Sequence, residues 1–146
     1  MQINGACHCG HVRFEAEADP AQVAICHCTD CQTSTGSAFR VNIPVAAANF
    51  RMLGGEPTGY VKTTADSGNP RVQAFCPKCG TPIYSTSPDP NPESYMVRVG
   101  TLQQRDQLTP RQQFWFRSSQ SWLADMASIA RTEKGRPPLG RDQRGA

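Results

Sequence analysis

The chain has 146 residues, of which 38% are hydrophobic and 18% charged, with a formal net charge of +3. That length suits one domain with one core; no apolar run is long enough for a membrane helix, and Met1-Gln2-Ile3-Asn4-Gly5 lacks the regions of a secretory signal, so a cytoplasmic protein without a membrane partner is expected. Lys134, Arg136, Arg141 and Arg144 against Glu133 and Asp142 place +2 of the charge in residues 133–146, and the nearly neutral body argues against a nucleic-acid groove, which needs basic residues clustered on a folded face.

Cys7-His8-Cys9-Gly10 leads into a strand signal in which Val12, Phe14, Ala16 and Ala18 alternate with His11, Arg13, Glu15 and Glu17. Asp19-Pro20 marks a turn, after which Val23 and Ile25 form a second strand that delivers Cys26 to Cys26-His27-Cys28-Thr29-Asp30-Cys31. Gln32 to Ser37 reads as a loop or one short turn. Phe39, Val41 and Ile43 then alternate as a strand that Pro44 ends or edges.

Turns at Gly54-Gly55-Glu56-Pro57 and Asp66-Ser67-Gly68-Asn69-Pro70 bracket a strand around Tyr60 and Val61. Val72, Ala74 and Phe75 run into Cys76-Pro77-Lys78-Cys79-Gly80, and further strands are expected at Ile83-Tyr84, at Tyr95, Val97 and Val99, and at Phe114 and Phe116. Trp122, Leu123, Met126, Ile129 and Ala130 recur at helical spacing, which predicts a short C-terminal helix as the only convincing one. The fold class is mainly β, with a domain over residues 1–132 and a mobile basic tail over 133–146.

Seven cysteines in a reducing compartment suggest metal before disulfides, and their odd number resists complete pairing. A zinc knuckle needs a tight turn, and glycine follows the second cysteine of both Cys7-His8-Cys9 and Cys76-Pro77-Lys78-Cys79. Cys7, Cys9, Cys76 and Cys79 are therefore expected to form a closed structural zinc site; the bland alternative is four cysteines packed as small apolar side chains. Cys26, Cys28 and Cys31 remain. Three ligands with an open fourth position is the arrangement of a catalytic zinc, unless His27 closes the tetrahedron; lying between two ligands, His27 is expected to point away.

Three thiolates make zinc a weaker Lewis acid than three neutral histidines would, which favours capture of an incoming thiol over water activation. His27 and Asp30 are candidate proton carriers or supporting groups. Arg40, Arg71, Arg98 and Arg117 are candidate carboxylate binders, although strand arginines are more often solvated. Tyr95, Trp115 and Trp122 are expected in the core.

The order CxC, CxCxxC, CPxCG, carried by Gly5-Ala6-Cys7-His8-Cys9-Gly10, by Cys26 to Cys31, by Gly36-Ser37-Ala38-Phe39 and by Phe75 to Ile83, resembles the glutathione-dependent formaldehyde-activating enzyme family, which includes proteins similar to centromere protein V. The resemblance covers roughly residues 4 to 125. It implies a β-tent of small antiparallel sheets, two zinc ions per chain on the cysteine sets already separated, and a carbon-sulfur lyase. Glutathione or another small thiol and an aldehyde adduct would be its partners, with S-(hydroxymethyl)glutathione as the product. The competing expectation is a non-enzymatic zinc module that binds another protein through edge strands or the basic tail.

Overall fold

A computed structural model describes residues 1–136; the expected basic tail lies outside the described residues from 137 onward. In chain order the strands are β1 (Gln2–Ala6), β2 (Arg13–Glu17), β3 (Ala24–Cys26), β4 (Arg40–Ala46), β5 (Phe50–Gly54), β6 (Thr58–Lys62), β7 (Arg71–Phe75), β8 (Pro82–Thr86), β9 (Ser94–Arg98) and β10 (Gln112–Phe114). One α-helix, α1 (Thr29–Thr35), stands among them. The first sheet has the order β1-β2-β5 and the second β10-β3-β4-β9-β8-β7-β6.

The alternation from Val12 to Ala18 forms as expected, with Phe14 and Ala16 turned inward along β2. Ile3 and Phe14 from the first sheet, with Val12 just before β2, meet Ile43, Val45, Ile83 and Val97 from the second in one buried cluster that also takes in Leu102 and Leu108. Two sheets leaning on one core make the expected β-tent. The strands are antiparallel except at one end, where β10 runs parallel to β3.

Pro44 sits inside β4 opposite Met96 of β9, beyond the last residue paired with β3, so its missing N–H leaves no ladder bond unmade on that side. Close packing leaves no room at Gly5 of β1, where a Cβ would stand 2.1 Å from Phe14 Cζ. Gly5→Ala is therefore expected to force Phe14 from its place and cost about 1–3 kcal/mol, read as a lower urea midpoint; an unchanged midpoint would contradict this packing.

Two expectations about helices differ from the structure. The short C-terminal helix forms, but as a 3-10 helix over Ser121–Ser128, interrupted at Asp125, that leaves Trp122, Met126 and Ile129 exposed. The α-helix forms instead across Thr29–Thr35, a stretch expected to be a loop from Gln32 onward. Local capping decides it: the Cys28 sulfur accepts the Cys31 N–H, Asp30 lies in the first turn, and Gly36 closes the end at φ 62°.

Candidate metal centres

Both knuckles fold as the glycines require. Gly10 at φ 76° and Gly80 at φ 73° let the chain reverse, with Gly10 N–H on Cys7 O at 3.0 Å and Gly80 N–H on Cys76 O at 2.8 Å. The register of the two sheets then brings the knuckles together, tied by His8 N–H donating to Thr81 Oγ1 at 3.1 Å. The sulfurs of Cys7, Cys9, Cys76 and Cys79 all lie within 4.8 Å of one another. Cys7 to Cys9 is 3.5 Å and Cys9 to Cys76 is 3.8 Å, close to the spacing of about 3.8 Å that a tetrahedron of 2.3 Å zinc-sulfur bonds imposes.

The surroundings favour thiolate at Cys7 and Cys79, while Cys9, against its hydrogen bond with the His11 backbone, is pushed up to about 11 by burial and the neighbouring cysteines. Val12 N–H donates to Cys7 Sγ at 3.2 Å, and the Thr81 hydroxyl, 3.1 Å from Cys79 Sγ, lowers the Cys79 thiol to about 5. Cys7 and Cys76 are buried while Cys9 and Cys79 are exposed, so the set bridges core and surface. Its donor set fits zinc and closes with four sulfurs.

The second set is built by the end of β3 and the start of α1. β3 supplies Cys26, the helix cap supplies Cys28, and the first helical turn supplies Cys31; their sulfurs also lie within 4.8 Å of one another. Three adjacent thiols cannot all ionise by themselves. Hydrogen bonding with Cys31 lowers Cys26 to about 5 against the effect of burial, while the same contact and burial push Cys31 up. A dication would hold all three as thiolates, so this donor set also fits zinc.

No further His, Cys, Asp or Glu joins the three sulfurs among the described residues. His27 is 2% exposed and points elsewhere: its Nε2 donates to Gln113 Oε1 at 2.7 Å, and its ring stands edge-on to Phe39 and Phe116. It anchors β10, and Gln32, donating to His27 O and Ser118 O at 2.7 and 2.9 Å, ties in the segment that follows. Asp30 receives Lys62 Nζ at 2.9 Å and the Thr64 hydroxyl at 2.9 Å. Lys62 thereby keeps its carboxyl below the usual range, so Asp30 stays ionised and serves as an anchor more readily than as a proton carrier.

The three sulfurs line a cavity of about 360 Å³ on the face of the seven-stranded sheet opposite the core. Strand register explains its lining. Cys26 pairs with Arg40, Asn42 with Arg98, Gln73 with Ser85 and Lys62 with Arg71, and paired residues share a face. Arg40 and Arg98 are each 6% exposed, and half-buried Arg71 lines the same cavity, which corrects the expectation of solvated strand arginines; Arg117 does lie exposed, over the Trp115 ring.

Tyr95 packs with Phe50 and Tyr84 against the core as expected, but Trp115 and Trp122 do not belong to it. Trp115 takes a left-handed conformation at φ 55°, is 42% exposed, and walls both this cavity and a smaller one of about 170 Å³ on the other side of Cys28. The expected final strand through Phe116 consequently stops at Phe114. Gln32, Asn42 and Gln73 were not anticipated at the site; the polar alternation Arg40-x-Asn42 and Arg71-x-Gln73 within apolar strands was the available signal.

Comparison with known proteins agrees with this architecture. A Halomonas elongata protein named "Putative glutathione-dependent formaldehyde-activating enzyme" is 29% identical over 91 residues, which are 60% of this chain and 58% of that relative. A crystal structure of a Rhodobacter sphaeroides protein superposes with a TM-score of 0.56 at 25% identity, covering 77% of this chain and 99% of that one. Residues 2–118, both cysteine sets among them, match the family described as glutathione-dependent formaldehyde-activating enzyme, and the chain belongs to that family.

Proposed function

We propose that Cys7, Cys9, Cys76 and Cys79 hold a structural zinc, and that Cys26, Cys28 and Cys31 hold a second, catalytic zinc in a carbon-sulfur lyase acting on a small thiol and an aldehyde. The observation that carries this reading is the set of three clustered sulfurs lining a cavity without a fourth ligand from the described residues. Family membership supports glutathione as the thiol and formaldehyde as the aldehyde.

Zinc bound there would supply a soft cation able to bind a thiol and favour its ionised form. The chain does the rest. The three cysteines provide ligands from a strand end and a capped helix, so their spacing is fixed by secondary structure. Trp115 walls the cavity, and Gln32 and His27 hold its segment in place. In the reaction the thiol sulfur forms a bond to the carbonyl carbon, the carbonyl π bond breaks, and the thiol proton ends on the oxygen, giving the S-hydroxymethyl thioether. Confinement of both reactants lowers the entropic cost of their meeting.

The alternative of a non-enzymatic interaction module draws on the exposed edge strand β6, with Tyr60 and Val61 open to solvent. The cavity favours the enzyme. Exchange of formaldehyde with glutathione, followed by NMR of the hydroxymethyl protons, is expected to run faster with the zinc-loaded protein than without it. An unchanged rate together with no binding of any small thiol would defeat the enzymatic reading.

A further inference from the structure

Arg40 and Arg98 are buried cations with neutral partners. Arg40 Nη1 and Arg98 Nη2 donate to the same Gln73 Oε1 at 3.0 and 2.8 Å, and Arg98 Nη1 donates to Asn42 Oδ1 at 2.6 Å. The Nε of each guanidinium is buried without a hydrogen-bond partner. No carboxylate pairs with either among the described residues, whose ion pairs use Arg51, Lys62 and Arg117 instead. Two like charges sharing one amide oxygen at such depth are costly unless something anionic completes the arrangement. Burial, with Arg40 beside it, pulls Arg98 down to about 9, which still leaves it charged near neutrality.

The cysteines account for only part of this charge. Arg40 favours ionised Cys26 and Cys31, but three thiolates on a dication carry about one negative charge, and a fourth thiolate from substrate raises that to about two. Arg40, Arg71 and Arg98 supply three positive charges to the same cavity, and Lys62 is already matched by Asp30. One positive charge remains, which suits a monoanionic carboxylate better than a phosphate dianion.

We propose that Arg98, with Arg40 and Arg71, forms a carboxylate seat beside the three cysteines, so that the favoured substrate is a small thiol bearing its own carboxylate. This deepens the thiol reading above and rests on it for the sulfur end of the ligand. The planar guanidinium fork suits a carboxylate, and Gln73 and Asn42 keep Arg98 oriented for it.

The test compares glutathione with its diester, and the analogue having alanine in place of cysteine with its diester, by calorimetry on the full zinc-loaded chain. Each acid is expected to bind about tenfold or more tightly than its ester, and Arg98→Gln to bring the two within about threefold, while Arg98→Lys retains part of the preference. Arg51→Gln, on the other sheet, should change neither ratio. Should Arg98→Gln fail to fold by circular dichroism, the acid-to-ester ratios of the parent and of Arg71→Gln decide. Acids and esters of both ligands binding the parent within about twofold, or not at all, would overturn the seat. Displacement of the acids by inorganic phosphate but not by glutarate would also overturn it. An acid preference kept by the alanine analogue, with glutathione binding no better than that analogue, would uphold the seat and defeat the thiol reading.

Discussion

Cys79→Ser is expected to cost the chain its structural metal and most of its resistance to unfolding. Cys79 is exposed, and serine differs from it by one atom, so little packing is lost and any large effect reports on the metal. The site joins the turn between β1 and β2 to the turn between β7 and β8, closing a loop across most of the core-forming sequence. Structural zinc contributes about 10–16 kcal/mol in small zinc-folded peptides, so even a quarter of it, ~3 kcal/mol, is a large share of a typical stability of about 5–15 kcal/mol. Zinc content and thermal midpoint measured on the same sample check this. Two retained metals and an unshifted midpoint would show that the four cysteines do not hold the fold together.

Cys28→Ser should behave differently. Cys28 caps α1 by accepting the Cys31 N–H at 3.3 Å, and serine is itself a favoured N-cap, so the helix keeps its start while the metal loses a soft ligand. Loss of one zinc per chain, a near-parental circular dichroism spectrum, and a fall in activity of about a hundredfold or more are expected, since even outer partners of metal ligands are worth 10–100-fold. If Cys28→Ser instead unfolded the protein as far as Cys79→Ser does, the division into one structural and one catalytic set would be wrong.

The cysteine partition was legible because knuckle glycines and ligand spacing are local signals, and the knuckles at Gly10 and Gly80 form as read. The mainly β class followed from period-two alternation, which survives wherever one face of a strand is buried, as in β2. What escaped rests on an unusual local cap or on partners distant in sequence. The α1 helix rests on a sulfur cap that no propensity scale anticipates, and the C-terminal spacing had no apolar surface to pack against.

Arg40 and Arg98 read as candidate carboxylate binders, but their burial was not legible. Whether a strand arginine faces water or a cavity is decided by register, and the register Cys26-Arg40 and Asn42-Arg98 becomes visible only when β3, β4 and β9 are paired. Trp115 reads as core by type, yet its left-handed backbone turns the chain out of β10 and over the cavity. Its hydrophobicity was legible; the turn that redirects it was not.

In the proposed arrangement one zinc is closed by protein sulfur while the other accepts a thiol. X-ray absorption at the zinc edge counts sulfurs directly. Such a pair of sites requires about 3.5 sulfurs per zinc in the parent protein, the mean of a four-sulfur and a three-sulfur site, rising to about 4 when glutathione is added. A count of about 4 before any thiol, or one that does not rise with saturating glutathione, would contradict it.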